Sequence, residues 1–398
     1  MSAHNGDSMR REILRKAMAR ERLDALVCRL PENVLLASGY WPVCGWVYAV
    51  VPLEGPVICI APDTEEQEAL AELWDASLLC YRFGTKELVD QRTEVRRGLN
   101  AARAGRSWRR VGFEGSFETA APAWNAAESC LPSDPSRRLL EDVFGAEALV
   151  DATGMIETMR AVKTPYEVEC IRRASRIAGF GMQAFSRQVE EGAAGVELVA
   201  AVESAIVSEG TGFEGARRVR AFAQVATGRE ETFLGWRPAE ITTNRRLREG
   251  DIALLELAVV ADGFWCDRTR ARVAPPATSR QRDINEVVRR AQEAAIAAIR
   301  PGVSGAEVDA AGRAVIREAA LESAFVHITG HGLGYRYHEA QPFLAPWSRD
   351  ILQEGMIHSV EPGLYLSDFG GIRIEDDVVV TSNGAEVLGP FPTDLCSS

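Results

Sequence analysis

A long apolar segment with a carboxylate at its centre, followed across a turn by a second carboxylate, constrains this chain more than any other feature. Ile252-Ala-Leu-Leu-Glu-Leu-Ala-Val-Val260 carries Glu256 at its centre, Phe264–Val273 carries Asp267, and Ala261-Asp-Gly263 lies between them. The Asp-Gly turn signal between the two segments predicts a β-hairpin. Residues 256 and 267 then lie within a residue or two of being opposite each other. An ionised carboxylate in an apolar strand is costly unless it is paired or bound to a metal. For Glu256 alone, an arginine partner and a metal ion are competing explanations. Asp267 shifts the balance, because two neighbouring carboxylates repel and one is pushed to protonate unless a divalent cation lies between them.

Similar positions recur further on. Ser359-Val-Glu-Pro-Gly363 places Glu361 at the end of an apolar run, and Gly371-Ile-Arg-Ile-Glu-Asp-Asp-Val-Val-Val380 places Glu375 in another. Each by itself is more often a structural ion pair. The histidines are His4, His327, His331, His338 and His358, so all but the first fall in one short stretch. His331 has a glycine on either side, which predicts a loop where the backbone packs close to a site. Four carboxylates and one imidazole form a hard, oxygen-rich donor set. It suits two divalent ions (Mn, Fe, Co or Zn) bridged by carboxylates. A structural zinc site, which favours thiolates, does not fit. The eight cysteines (28, 44, 59, 80, 130, 170, 266 and 396) form no C-x-x-C pair and no Cys/His cluster. Scattered thiols of this kind suit a reducing cytosol.

The 398 residues are enough for two domains. The formal net charge of -12 argues against nucleic acid or an anionic membrane as the main partner. The Arg-rich start has no apolar stretch of the signal-peptide type. No uncharged run reaches the roughly 18–20 residues of a membrane span. A cytoplasmic location is therefore expected. Lysine occurs only as Lys16, Lys86 and Lys163, which reads as coding bias.

Strands are predicted at 23–28, 47–52, 56–61 and 110–114, with helices at 9–23, 64–76 and 84–104; their alternation implies an α/β domain. Leu149–Gly154 reads as a junction, dividing the chain into 1–153 and 154–398. Beyond it, helices are expected from Pro165 and at 195–208, 279–299 and 304–321. Strands are expected at 252–260, 264–273, 356–366 and 372–381. This second domain is α+β.

These motifs resemble the pita-bread family of methionine aminopeptidase, aminopeptidase P, prolidase and creatinase. Arg160-Ala-Val-Lys163-Thr-Pro-Tyr-Glu167 resembles the family's opening helix, and Gly250-Asp251 precedes the first ligand strand. Asp267-Arg-Thr-Arg270, Gly330-His-Gly-Leu-Gly334, Glu361-Pro-Gly363 and Arg373-Ile-Glu375-Asp376 resemble the remaining ligand motifs, in order. Leu23-Asp-Ala-Leu26, Glu32-Asn33 and Ser38-Gly39-Tyr40 resemble the N-terminal domain of the aminopeptidase P, prolidase and creatinase subgroup.

The resemblance implies a pita-bread catalytic domain behind a creatinase-type α/β domain, with metal ligands Glu256, Asp267, His331, Glu361 and Glu375. It implies Glu361 as general base, His338 stabilising an oxyanion and His327 contacting substrate. Arg373 is expected to hold a ligand carboxylate in a bidentate pair or bind substrate, with Glu339 and Asp376 orienting the ligands. It also implies a small-molecule or short-peptide substrate and a homodimer. In the subgroup the N-terminal domain can cap the partner's active site. The aromatic segment from Tyr40 and Trp41 through Trp46 and Tyr48 is a candidate for that cap, or for core packing.

Two departures stand out. Glu256 occupies a place where the peptidases carry Asp. The segment 226–236 lacks the peptidases' loop histidine, with Gly235 or Trp236 near its place. The expected reaction is Xaa-Pro cleavage by a metal-activated water. The alternatives are a creatinase-like hydrolase or lyase of a small compound, and a non-catalytic binding protein.

Overall fold

The computed structural model describes residues 5–74, 76–84, 88–116, 134–237 and 242–396. His4, Lys86 and Cys130 lie outside them. The chain divides into two compact units, Met1–Arg160 and Ala161–Ser398.

The first unit runs α1 (Asn5–Arg20), β1 (Ala25–Cys28), α2 (Pro31–Ser38), β2 (Tyr48–Pro52) and β3 (Val57–Pro62). It continues with α3 (Glu66–Glu72), β4 (Ala76–Tyr81), α4 (Gln91–Arg103), β5 (Val111–Phe113), α5 (Asp134–Phe144), β6 (Leu149–Asp151) and α6 (Thr153–Ala161). Its sheet has the order β4-β3-β2-β1-β5-β6 and mixes antiparallel and parallel pairs. Apolar residues of α4 and α5 cover the central strands. The expected helix over 64–76 ends at Glu72, and residues from Ala76 form a strand instead. In Glu32-Asn33, the Asn33 amide donates to the buried Glu114 at 2.8 Å and accepts from Arg160 at 2.7 Å.

The second unit begins with α7 (Pro165–Gln188), capped by Thr164 and Glu167 in a reciprocal box with Pro165 in the first turn. Next come α8 (Gly195–Gly210), β7 (Val219–Thr227), α9 (Gly228–Phe233), β8 (Ile252–Ala261) and β9 (Phe264–Val273). They are followed by α10 (Ser279–Ala298) and α11 (Gly305–Glu318), which open on the capping boxes Thr278/Gln281 and Ser304/Glu307. The remaining strands are β10 (Gly330–Gly332), β11 (Glu339–Leu344), β12 (Ile357–Val360), β13 (Gly363–Leu366), β14 (Gly370–Arg373), β15 (Asp376–Val380) and β16 (Ala385–Val387).

The predicted hairpin forms as β8–β9, with Glu256 opposite Thr269 and Ala258 opposite Asp267. Period-two alternation decides which way these side chains point. Ala253, Leu255, Leu257 and Val259 pack against apolar residues of α7 and α8. Leu254, Glu256 and Ala258 therefore share the opposite face, together with Asp267 and Thr269. On that face Leu254 packs into a second core with residues of α10, β13 and β14. Strand β7, on the edge beside β8, was not expected, because Arg220 and Gln224 interrupt its apolar pattern.

Two expected strands are each broken in the middle. Residues 356–366 divide into β12 and β13, and residues 372–381 into β14 and β15. β12 pairs with β15 in one sheet, while β13 pairs with β14 in another. The chain changes sheets at Glu361-Pro362 and at Ile374-Glu375. Pro362 has no N–H with which to continue a ladder. Each break frees a glutamate from regular pairing and turns it toward the β8–β9 face. Glu361 N–H donates to Thr329 O at 2.8 Å, and Glu375 N–H to Thr269 O at 3.2 Å.

Candidate metal centre

His331 lies in β10, a strand rather than the expected loop, but the reason for its flanking glycines holds. A Cβ on Gly330 would sit 2.0 Å from Ser359 O, and one on Gly332 2.0 Å from Gln341 O. The strand enters a space that only bare backbone fits.

Asp267, His331 and Glu375 are buried and offer ligand atoms that all lie within 4.8 Å of one another. His331 Nε2 is 3.4 Å from Asp267 Oδ2 and 3.5 Å from Glu361 Oε1. These gaps are long for hydrogen bonds. They match donors sharing one ion at about 2.0–2.2 Å each, whose mutual separations are about 3–3.5 Å. His331 Nδ1 faces Gly332 O at 3.1 Å. That bond places the proton on Nδ1 and leaves the Nε2 lone pair toward the carboxylates, the tautomer a metal ligand needs.

The electrostatics agree. Burial, with Glu375 and Glu361 beside it, pushes Asp267 well above the usual carboxylate range. Burial and Glu375 do the same to Glu361. Burial and the nearby His338 push His331 well below its ordinary value. Carboxylates so placed need a proton or a cation, and a neutral imidazole is ready to share that cation. Glu375 Oε1 is buried with no hydrogen-bond partner. An orphaned carboxylate oxygen beside this donor set fits a divalent ion.

Glu256 is reached differently. Its Oε1 accepts from Tyr337 OH at 2.5 Å, and its Oε2 lies 3.0 Å from Thr269 Oγ1. Arg373 Nη2 makes a close ion pair with the same Oε2. Thr269 Oγ1 also lies 2.6 Å from Glu375 Oε2, so this hydroxyl joins two expected ligands. Arg373 thus pairs with the Glu256 carboxylate through one nitrogen, not in the expected bidentate way. Its Nε donates to Thr269 Oγ1 at 3.0 Å, and its Nη1 to Tyr365 OH at 2.8 Å and Gly235 O at 3.0 Å.

His338 is half-buried, with its ring 4.4 Å from that of His331. His327 has both ring nitrogens engaged, Nδ1 with Ile328 O at 2.8 Å and Nε2 with Tyr365 OH at 3.1 Å. The imidazole therefore accepts from Tyr365, which in turn accepts from Arg373, and it has no nitrogen left for a substrate. This differs from the expected contact role. His358 is fully buried, as expected of a packing residue.

Asp376 accepts from Arg268 and Arg270, and from Gln292 at 3.0 Å. Arg270 also donates to Glu375 O at 2.7 Å, which anchors the backbone there. Glu339 accepts from Tyr335 N–H at 3.1 Å.

Sequence reasoning missed Tyr337, Thr269, Tyr365 and Asp377. Asp377 accepts from the Asp267 N–H at 3.2 Å and from Ser175 at 3.0 Å. The signal available was their position: each lies within a few residues of an expected ligand.

Trp236 is 37% exposed, with the Arg237 guanidinium 5.3 Å from its ring centre. A Cβ at Gly235 would lie 2.7 Å from Leu254 Cδ2 and 3.0 Å from Thr232 O, so a side chain there would displace the end of Leu254 and crowd Thr232. Tyr40 and Tyr48 are completely buried. A ring with no exposed surface cannot cap or touch a substrate, so for Tyr40 the packing role stands.

Residues 169–382 match the family model "Metallopeptidase family M24", and residues 10–162 match "Creatinase/Prolidase N-terminal domain". The chain is 32% identical over 241 residues to a Xaa-Pro dipeptidase of Pyrococcus furiosus, covering 61% of this chain and 66% of that protein. It is 31% identical to an uncharacterised peptidase of Staphylococcus saprophyticus, covering 96% of this chain and 99% of that protein. The solved prolidase from Pyrococcus furiosus superposes with a TM-score of 0.74 at 26% identity, over 95% of this chain and 99% of that one. No helix among the described residues is long and apolar enough to cross a membrane.

Proposed function

Since the chain belongs to metallopeptidase family M24, with a creatinase/prolidase N-terminal domain ahead of its catalytic domain, we propose that it is a metal-dependent hydrolase of the Xaa-Pro peptidase type. The observation that carries the proposal is the buried set of Asp267, His331 and Glu375, with Glu361 beside it. Asp267, His331, Glu361, Glu375 and Glu256 would hold divalent metal. Bound there, such an ion supplies Lewis acidity and lowers the pKa of water.

Glu361 takes the proton of the attacking water at its carboxylate and returns it to the leaving amine. His338, half-buried beside His331, donates to the oxygen on which charge develops. His327 and Tyr365 hold the Arg373 side chain, and Arg373 holds Glu256. Trp236 presents an exposed ring as a wall for the substrate. The same reading extends to a homodimer, as the family resemblance implies; light scattering checks that assembly.

A second reading is a creatinase-like hydrolase of a small C–N compound. The segment 226–236 favours it, because it lacks the peptidases' loop histidine. Assay of Xaa-Pro dipeptides against small amidines and cyclic amides separates the two. The experiment that tests the proposal is metal analysis of the purified protein together with Glu361→Ala and His331→Ala. Both variants are expected to lose at least about a hundredfold in kcat, which is the scale of a lost general base. A metal-free wild type with full activity would refute it.

A further inference from the structure

Glu is one methylene longer than Asp, and its last torsion is broad and roughly two-fold. A glutamate in the Glu256 position therefore needs something to fix the plane of its carboxylate. Packing does not supply it, because the Glu256 side chain is 25% exposed. Hydrogen bonds do, one set for each oxygen. Oε2 faces Thr269 on β9 and Arg373 on β14. Oε1 accepts from Tyr337 at 2.5 Å.

We infer that Tyr337 is a positioning residue of the metal centre, whose phenol fixes the Glu256 carboxylate against the pull of Arg373. Its single hydrogen goes to Glu256, because Asp267 Oδ1 is further away at 3.3 Å. The ring itself cannot swing. It is buried, with the Trp265 ring 6.0 Å, the His338 ring 4.3 Å and the His331 ring 6.4 Å from its centre. Tyr337 thus meets Glu256, Asp267 and the ring of His331 from one rigid position. Without it, Oε1 keeps no donor, and the ion pair on Oε2 draws the carboxylate toward Arg373 and away from Asp267.

This assignment rests on the metal-centre reading, so its test measures ion uptake rather than turnover. Co²⁺ is titrated into metal-stripped full-length wild type and Y337F, read by calorimetry and by the visible absorption of bound Co²⁺. Phenylalanine keeps the ring packing. Loss of a residue that orients a ligand costs about ten- to hundredfold in metal affinity. That loss, with a changed cobalt spectrum, is expected for Y337F.

Y335F is the structural reference. Tyr335 donates to Glu167 at 2.6 Å, so its loss should lower stability and leave cobalt affinity within twofold. E256D withdraws the carboxylate from the phenol, so adding Y337F to E256D should change affinity by less than about threefold. Uptake by the wild type with Y337F equal to it overturns this assignment alone. So does a loss of the same size in the E256D background. No uptake by the wild type overturns the metal centre and this assignment with it.

Discussion

Thr269→Val removes one hydroxyl and keeps the shape of the side chain. Thr269 is completely buried. Its Oγ1 lies 2.6 Å from Glu375 Oε2 and 3.0 Å from Glu256 Oε2, and accepts from Arg373 Nε at 3.0 Å. One hydrogen can go to only one carboxylate, and the shorter contact is to Glu375. Valine therefore loses one bond donated to a carboxylate and one accepted from a guanidinium. Hydrogen bonds to charged groups contribute about 1.5–3 kcal/mol each. Glu375 Oε1 already has no partner, so after the change Oε2 loses its hydrogen-bond donor and keeps the Arg373 Nε contact at 3.7 Å. The metal-free protein should lose about 3–6 kcal/mol. For a unit of this size, at about 2–4 °C per kcal/mol, a loss of 4 kcal/mol is a fall of about 8–16 °C in Tm. The assay is urea unfolding of wild type and variant in chelator, repeated with saturating divalent ion. With the ion the deficit should shrink, since Glu375 regains a partner. A loss below about 1 kcal/mol in chelator would refute the reasoning.

Gly332→Ala should cost at least about 3 kcal/mol, the upper part of the range for overpacking, because the new Cβ meets backbone at 2.0 Å; thermal melting checks it, and a neutral effect would mean that β10 and β11 can part freely. Burial lowers His358 and His327 to about 4. Both imidazoles bind a proton more weakly in the fold than in the open chain, so their contribution is complete above about pH 6.5 and is lost as pH falls toward 4. For the fully buried His358 the slope is about 1.4 kcal/mol per pH unit in that window; unfolding midpoints of wild type and His358→Asn from pH 7 to 4.5 should converge, and parallel curves would contradict it.

The expected ligands were legible because each breaks a local rule. Glu256 is a charge inside an apolar strand, Asp267 lies across the turn from it, and β8–β9 formed with the predicted turn and register. Glu361 and Glu375 sit inside apolar segments, but that those segments break at these residues was not visible. The breaks follow from β12 pairing with β15 while β13 pairs with β14, and pairing is a property of partners, not of one segment. The roles of His327 and Arg373 were likewise undecided by spacing. His327 lies four residues before His331, yet it spends both nitrogens on Ile328 and Tyr365.

By itself, then, the sequence marked the candidate donors and their order along the chain, since burying charge in an apolar strand demands compensation wherever the strand ends up. Tertiary structure alone decided how that compensation is shared. Asp267, His331 and Glu375 converge on one point with an orphaned oxygen, while Glu256 is held by Tyr337, Thr269 and Arg373. Tyr337 and Glu256 lie 81 residues apart, and Arg373 and Glu256 117 apart. Hydrogen bonds act over about 3 Å, so only the folded chain could choose these partners.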